Sequence, residues 1–360
     1  MRLLIDRFRN VIEELDRIFE HTKLRPVWDT ISTFFFSLKT VTPPGGPHIR
    51  DTTDLKRYMT VVMAAVAPTV AMSIYLFGWR SLALVILSYT VGIVIELGFA
   101  IVKNEEVTEG MFVTCILYPM ILPATIPFWM AAVGIAFGII IGKEIFGGTG
   151  KNIFNPAIVG RTFLAVTFPV EMASQWARPF TGWPGGFAHW APGADTVTSA
   201  SPLLGFKSGA PDRLFDMFLG TTSGCLGETS ALIIIVTGTL LVLTGIANWR
   251  LPIATIAGAT ALAAVMHLAN PDGFASPLYH LFGGGLLFGA FFMVTDPVTA
   301  PFSMSGKWVY GVLIGIITMV IRNLSWYPEG IMFAILFMNM FAPVIDDIVL
   351  ALKYGRGRTA

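Results

Sequence analysis

Charge is scarce in this chain of 360 residues. Asp, Glu, Lys and Arg together make up 13%, against roughly 25% in an ordinary soluble domain. The balance of 24 basic and 23 acidic residues leaves a net charge of +1. That gives no electrostatic footprint for DNA or RNA and excludes a nucleic-acid binder. Cysteine is limited to Cys115 and Cys225. Two thiols exclude a disulfide framework and any self-contained four-thiolate iron–sulfur or zinc site. No G-x-G-x-x-G follows a strand pattern, so the chain lacks a dinucleotide site of its own. The first 57 residues hold no apolar run of signal-peptide length.

Apolar residues are abundant. They account for 54% of the chain, with 28 Phe, 16 Met and 36 Gly, and the mean hydropathy is +0.69. This excess predicts one polytopic, all-α membrane domain rather than two or three soluble domains. About 20 apolar residues cross the hydrocarbon core. By that measure there are ten stretches: 58–78, 81–102, 110–123, 127–146, 154–170, 229–247, 251–269, 279–297, 308–322 and 329–350. Those at 110–123, 154–170 and 308–322 are short or interrupted by Pro. The chain divides into an arm over 1–57, a ten-helix membrane domain over 58–350 with one long polar connection at 171–228, and a tail over 351–360.

The arm differs from the rest. Ten of the 24 basic residues lie in it. Leu4, Phe8, Val11, Ile12, Leu15, Ile18 and Phe19 recur at helical spacing with charges between them. This reads as a basic amphipathic helix on a lipid surface or on a partner subunit. Basic residues also set the expected topology. With the N-terminus inside, nineteen of the 24 fall on the cytoplasmic side. Arg80, Arg178, Lys207, Arg213 and Arg322 fall outside. Both termini are then cytoplasmic and 171–228 faces out.

A weak internal repeat is visible. Glu109-Gly110 opens an apolar run that ends at Pro119 and Pro123, and Asn155-Pro156 opens another. In the second half Gly284-Gly285 opens a run ended by Asp296-Pro297, and Pro328-Glu329-Gly330 follows. Two units of five spans must be inverted, because five is odd. Broken helices at corresponding places of inverted repeats mark midplane binding sites.

Four features could carry chemistry. The outer connection contains Asp195-Thr-Val-Thr198-Ser199-Ala200-Ser201. The segment Lys143-Glu144-Ile-Phe-Gly147-Gly148-Thr149-Gly150-Lys151-Asn152-Ile-Phe-Asn155 sets a Gly-rich turn beside two amides, which can meet a polar ring edge with both donors and acceptors. It is not a phosphate-binding loop, since Lys151 is followed by Asn. Thr295-Asp296-Pro297 closes the stretch 279–297. Acidic residues in or at the ends of spans are Glu96, Glu144, Asp296, Glu329, Asp346 and Asp347. A carboxylate within a span costs about 2.5–3.5 kcal/mol on insertion, so it pairs, faces a cavity or serves ion passage. Glu329, Asp346 and Asp347 are expected at helix ends in water.

The motifs GKEIFGGTGKNIFNPAIVGRTFL, FFMVTDPVTAPF, SGKWVYG and YPEGIMFAILFMNMFAPVID resemble the family of B subunits of Na⁺-translocating NADH:quinone reductases and D subunits of the Rnf complex. The likeness runs over about 47–350. The basic arm and His48-Ile-Arg50-Asp51 before the first span favour the B-subunit branch over the Rnf branch. The resemblance implies a urea-transporter-like fold of two inverted five-helix repeats in a bacterial inner membrane. It implies a covalent FMN joined through its phosphate to a hydroxyl in D-x-x-[ST]-G-A-[TS]. Asp195, Thr198, Ser199, Ala200 and Ser201 occupy that motif here. Ser199 stands where Gly is usual, and Ser201 where the acceptor is usually Thr; Thr198 is the fallback acceptor.

The resemblance also implies non-covalent riboflavin near Asn152, Asn155, Thr114 and Asp296, and a Na⁺ pathway past Glu96 and Asp346. A glycine pair tied to quinone-site inhibitors corresponds to Gly92-Ile93, with its second glycine absent. Expected partners are the other subunits (A, C, D, E and F) of a six-subunit complex, a flavin transferase, Na⁺, ubiquinone and membrane lipid. The expected function is electron transfer from FMN through riboflavin to quinone, coupled to Na⁺ export. The alternatives are an Rnf-type subunit and, in another class, a small-solute channel without a redox role.

Overall fold

The structure is a computed structural model that describes residues 55–103, 110–173, 176–192, 201–228, 230–325, 327 and 329–355. The arm as far as Asp54 and the positions Asp195, Thr198, Ser199 and Ala200 lie outside the described residues. Among the described residues the secondary structure is helical, with one isolated antiparallel bridge, Pro123 to Cys225, and no strand. Six of these helices are long and apolar enough to cross a membrane. They are α1 (Leu55–Phe77), α2 (Arg80–Lys103), α4 (Phe128–Gly142, prolonged by a 3₁₀ turn to Phe146), α7 (Arg250–Ala269), α8 (Met304–Leu324) and α9 (Ile331–Tyr354). Three shorter apolar helices are α3 (Gly110–Met120), α5 (Pro156–Thr167) and α6 (Ala231–Leu243). The protein is an all-α membrane protein.

Two of the expected spans are not continuous helices. The stretch 110–123 stops at Met120, and Ile121–Ile126 leaves the helix. Pro119 and Pro123 cannot donate to a helical ladder. The freed backbone is satisfied by groups from elsewhere. Leu226 N–H donates to Leu122 O at 3.0 Å and Gly227 N–H to Met120 O at 2.7 Å. Arg161 Nε donates to Ile121 O at 2.6 Å, and Arg80 Nη2 to Ile126 O at 2.7 Å. A backbone break at membrane depth is stable only when buried and paired in this way.

The stretch 279–297 is likewise split. Pro277–Phe282 is a short helix. Gly283–Gly285 interrupt it, with Gly284 at φ +65°. Leu286–Phe288 then runs into a π-helical turn at Gly289–Met293. Arg322 Nη1 donates to the freed His280 carbonyl at 2.7 Å.

Small residues bring helices close. A Cβ on Gly138 of α4 would sit 2.4 Å from Pro156 O, and one on Gly160 of α5 2.4 Å from Gly134 O. Gly315 of α8 lies equally close to Thr255 O of α7. Membrane helices lack a hydrophobic drive toward one another, so backbone approach of this kind supplies the packing.

The long polar connection is not a free loop. Its described parts fold onto the ends of the bundle. Phe180 N–H donates to Leu76 O at 2.7 Å, Trp79 Nε1 to Phe187 O at 2.9 Å and Tyr75 OH to Gly182 O at 2.9 Å. Leu203, Met217, Ala275 and Tyr279 form a small core of their own.

Candidate functional site

The Gly-rich segment after α4 forms a turn that needs glycine. Gly147, Gly148 and Gly150 have φ of +108°, +97° and +88°, a region costly for residues with a Cβ. The turn delivers Asn152 and Asn155 to one place. Asn152 Nδ2 donates to Phe154 O at 3.0 Å, and its Oδ1 accepts from Gly150 N–H at 3.2 Å. Asn155 caps α5, accepting from Ala157 N–H at 3.0 Å, with Pro156 at the first helical position. Its Nδ2 donates to Asp296 Oδ2 at 3.2 Å. Asp296 also accepts from Val298 N–H at 3.1 Å and Thr299 Oγ1 at 3.2 Å.

These residues wall a cleft that is partly open to its surroundings. Thr114, Asn152, Asn155 and Asp296, expected together, all line it. Tyr58 and Lys143, not anticipated, line it too, and Val62, Val113, Leu117, Leu241 and Phe292 supply apolar wall. A largely apolar cleft with a few convergent polar groups is the usual form of a small-molecule site. Each side-chain amide uses one N–H and one lone pair on the protein and keeps a second of each.

Glu96 does not line the cleft. It pairs with Lys143, both nearly fully buried. Lys143 also lies 3.9 Å from Glu144, which pairs with Lys103 at 2.7 Å. The result is a charge chain Glu96–Lys143–Glu144–Lys103 that starts and ends on α2 and meets the cleft wall at Lys143. In the sequence pattern Lys143 falls near the end of the apolar stretch 127–146, where a buried charge and a solvated one look alike. Asp346 stands apart from both. It is buried and accepts from Phe302 N–H at 2.9 Å, Ser303 N–H at 3.0 Å and the Ser303 hydroxyl. It organises the start of α8.

The structure corrects two of the expectations from sequence. Glu329 and Asp346 are buried rather than in water at helix ends; of the three acids expected there, only Asp347 is exposed. Glu329 pairs with Arg161, which is buried in α5. Arg161, Lys143 and Arg322 are therefore internal charges rather than loop charges. Setting them aside leaves the direction of the basic bias unchanged.

Ser201 lies elsewhere, in a second chamber on the side of the bundle that carries the connection. It is only 7% exposed, and among the described residues its hydroxyl has no hydrogen-bond partner. The chamber also borders Thr222, Gly284, Glu228 and Glu329. Tyr58 in the first cleft belongs to the start of α1, and Phe77 at its other end is where the connection packs. A helix of that length spans roughly 35 Å, so the two sites belong to opposite ends of the bundle.

The profile described as the NQR2, RnfD, RnfE family matches residues 43–355. The chain is 36% identical to a protein of Klebsiella pneumoniae subsp. pneumoniae over 98% of this chain and 99% of the relative. It is 35% identical to proteins of Yersinia pestis and Haemophilus influenzae, with 97% and 98% of this chain covered and 98% and 99% of theirs. All three relatives are named as the B subunit of a Na(+)-translocating NADH-quinone reductase.

Proposed function

The chain belongs to the NQR2, RnfD, RnfE family, and from that footing we propose that it is the membrane redox subunit, the B component, of a Na⁺-translocating NADH:quinone reductase. Electrons pass from a covalent FMN at Ser201 to riboflavin in the cleft and on to ubiquinone, coupled to Na⁺ export. The other subunits carry NADH oxidation and the iron–sulfur clusters. The chain sits in a bacterial inner membrane as ten spans in two inverted repeats, with both termini cytoplasmic and the connection outside. Likeness over nearly the whole of each relative, arm included, supports the B-subunit branch.

One observation carries the flavin reading: Thr114, Asn152, Asn155 and Asp296, from three separate stretches of chain, line one cleft. Its apolar walls and donor set fit a flat heteroaromatic ring with alternating donors and acceptors. The flavins, when bound, supply one- and two-electron transfer chemistry. The protein's part is binding and insulation. Asn152 and Asn155 offer their remaining N–H groups and lone pairs, and Asp296, held by three donors, stays oriented. The apolar wall excludes water. At the other end, the partnerless Ser201 hydroxyl is the group a phosphoester needs.

The experiment is cofactor analysis of the purified complex. The denatured chain is expected to show flavin fluorescence on a gel and the added mass of FMN. The supernatant is expected to contain riboflavin. A chain with neither flavin supports a channel without redox role.

A further inference from the structure

The first turns of α7 and α8 meet at one corner of the bundle. The two helices run parallel in a fixed register. A Cβ on Gly311 would sit 3.0 Å from Leu251 O, and one on Gly315 2.3 Å from Thr255 O. Their starts are therefore side by side, which brings Arg250 of α7 and Lys307 of α8 within electrostatic reach of each other. Arg250 donates Nη1 to the Met304 sulfur at 3.4 Å, and its guanidinium lies 4.8 Å from the Trp249 ring centre. Trp249 and Trp308 meet edge to face with ring centres 5.8 Å apart. Trp249, Trp308, Phe302 and Met304 are all exposed.

Among the described residues no ion pair within 4.0 Å involves Arg250 or Lys307. Two acids border the corner, and both face inward to other donors. Asp346, the acid that Lys307 feels, is buried and accepts from Phe302 N–H, Ser303 N–H and the Ser303 hydroxyl. Asp296 shares a recess with Lys307 and accepts from Asn155, Val298 and Thr299. The charge that the corner presents outward is therefore positive. A helix start carries partial positive charge of its own, so a cation there is better placed once an anion joins it.

Helix length sets the depth of the corner. α7 has 20 residues and α8 has 21, about 30 Å each at 1.5 Å per residue. That matches the hydrocarbon core of a bilayer. Their first turns then lie at its boundary, among headgroups, the level at which exposed tryptophan is enriched. Ile253 on α7 and Val309 on α8 are exposed within the next turn. The basic corner is thus continuous with the lipid-facing surface of the helices.

We propose that this corner binds the headgroup of an anionic phospholipid, with the phosphate held between the Arg250 guanidinium and the Lys307 ammonium. A guanidinium meets phosphate oxygens with a fork of N–H donors, and an ammonium meets them as a point charge. Basic pockets between membrane helices select anionic headgroups in this way. A zwitterionic headgroup brings a third cation to the pair and gains less. The inference rests on α7 and α8 crossing a membrane and is independent of the redox reading.

The test is equilibrium binding of radiolabelled dioleoylphosphatidylglycerol to the purified complex, stripped of lipid by detergent exchange. The complex carries the wild-type chain, Arg250→Gln, Lys307→Gln or both substitutions. The wild type is expected to show a saturable site that neither dioleoylphosphatidylcholine nor millimolar inorganic phosphate empties. Each single substitution is expected to weaken that site about fivefold, and the pair about twentyfold or more. Unchanged binding in the double variant overturns the proposal. So does the lack of a saturable site in the wild type, which assigns the corner to a protein surface, whether a partner subunit or the chain's own arm. Displacement by phosphatidylcholine or by inorganic phosphate overturns the choice of an anionic lipid. If the double variant does not assemble, Lys307→Gln decides alone by the same criterion.

Discussion

Asn155 donates its side-chain N–H to Asp296 across 141 positions of sequence, at 3.2 Å. The bond ties the start of α5 to the end of the broken segment, and both ends of it face the same cleft. One amide thus caps a helix, bridges two parts of the chain and presents its remaining polar atoms to the cavity.

Asn155→Leu removes all three functions while keeping the branched shape. Loss of the cap costs about 0.5–2 kcal/mol. The expected outcome is a complex that still assembles but loses riboflavin, with the covalent FMN retained. Asp296→Asn keeps the shape and one of the two acceptor oxygens, and is expected to retain more riboflavin than Asn155→Leu. Separate quantification of released and covalent flavin checks both; equal riboflavin content in Asn155→Leu and wild type contradicts the assignment of the cleft.

Glu96 is legible in the sequence as a carboxylate within a span, but its partner is not. Because Lys143 pairs with it and both are buried, the neutralised single variants behave differently from the double. Glu96→Gln or Lys143→Met alone strands a buried charge and is expected to cost about 3–5 kcal/mol. The combination Glu96→Gln with Lys143→Met removes both charges and is expected to recover most of that loss. Thermal unfolding of the three variants is the measurement. If the singles match the wild type, Glu96 is not locked to Lys143 and remains free for ion passage.

Local pattern governs what can be read from this sequence. Apolar length is local, so all the long helices stand where hydropathy sets them, within a few residues. Asn152 and Asn155 are read from one short segment, and their shared cleft with Thr114 and Asp296 follows from the family resemblance rather than from spacing. The breaks at Pro119–Pro123 and Gly283–Gly285 are signalled by residue type, but the arginines that satisfy them are not. Arg161, Arg322 and Lys143 fall inside or at the end of the stretches 154–170, 308–322 and 127–146, yet nothing in a linear pattern tells a buried cation there from a solvated one. An intramembrane Arg is nevertheless a signal, since it implies an acid or a carbonyl opposite. The burial of Ser201 is also hidden, because a polar connection gives no hint that it folds back on the helices.

Helix packing provides a contrast that needs no cofactor. Gly315 faces Thr255 O so closely that a Cβ would lie 2.3 Å away, and there is no flexible group to yield. Gly98, in α2, has nothing within 4 Å of its Cβ position. Gly315→Ala is therefore expected to force α7 and α8 apart and lower the yield of assembled protein. Gly98→Ala is expected to be neutral or stabilising by up to about 1 kcal/mol, the gain in helix propensity. Thermal unfolding in detergent distinguishes them, and equal midpoints contradict the close approach.

Ser201 supports the sharpest prediction. Its hydroxyl is buried without a partner, so removing it leaves no broken hydrogen bond, and a lone unsatisfied hydroxyl is itself unfavourable. Ser201→Ala is thus expected to fold at least as well as the wild type while carrying no covalent FMN. Ser201→Thr keeps the hydroxyl and restores the acceptor usual in the resembling family. Flavinylation of this variant is therefore expected to persist or improve. Thr198→Ala is expected to leave the FMN in place. Intact mass of the denatured chain reads all three variants. The FMN mass on Ser201→Ala moves the acceptor to another hydroxyl. Its loss from Thr198→Ala alone identifies that hydroxyl as Thr198.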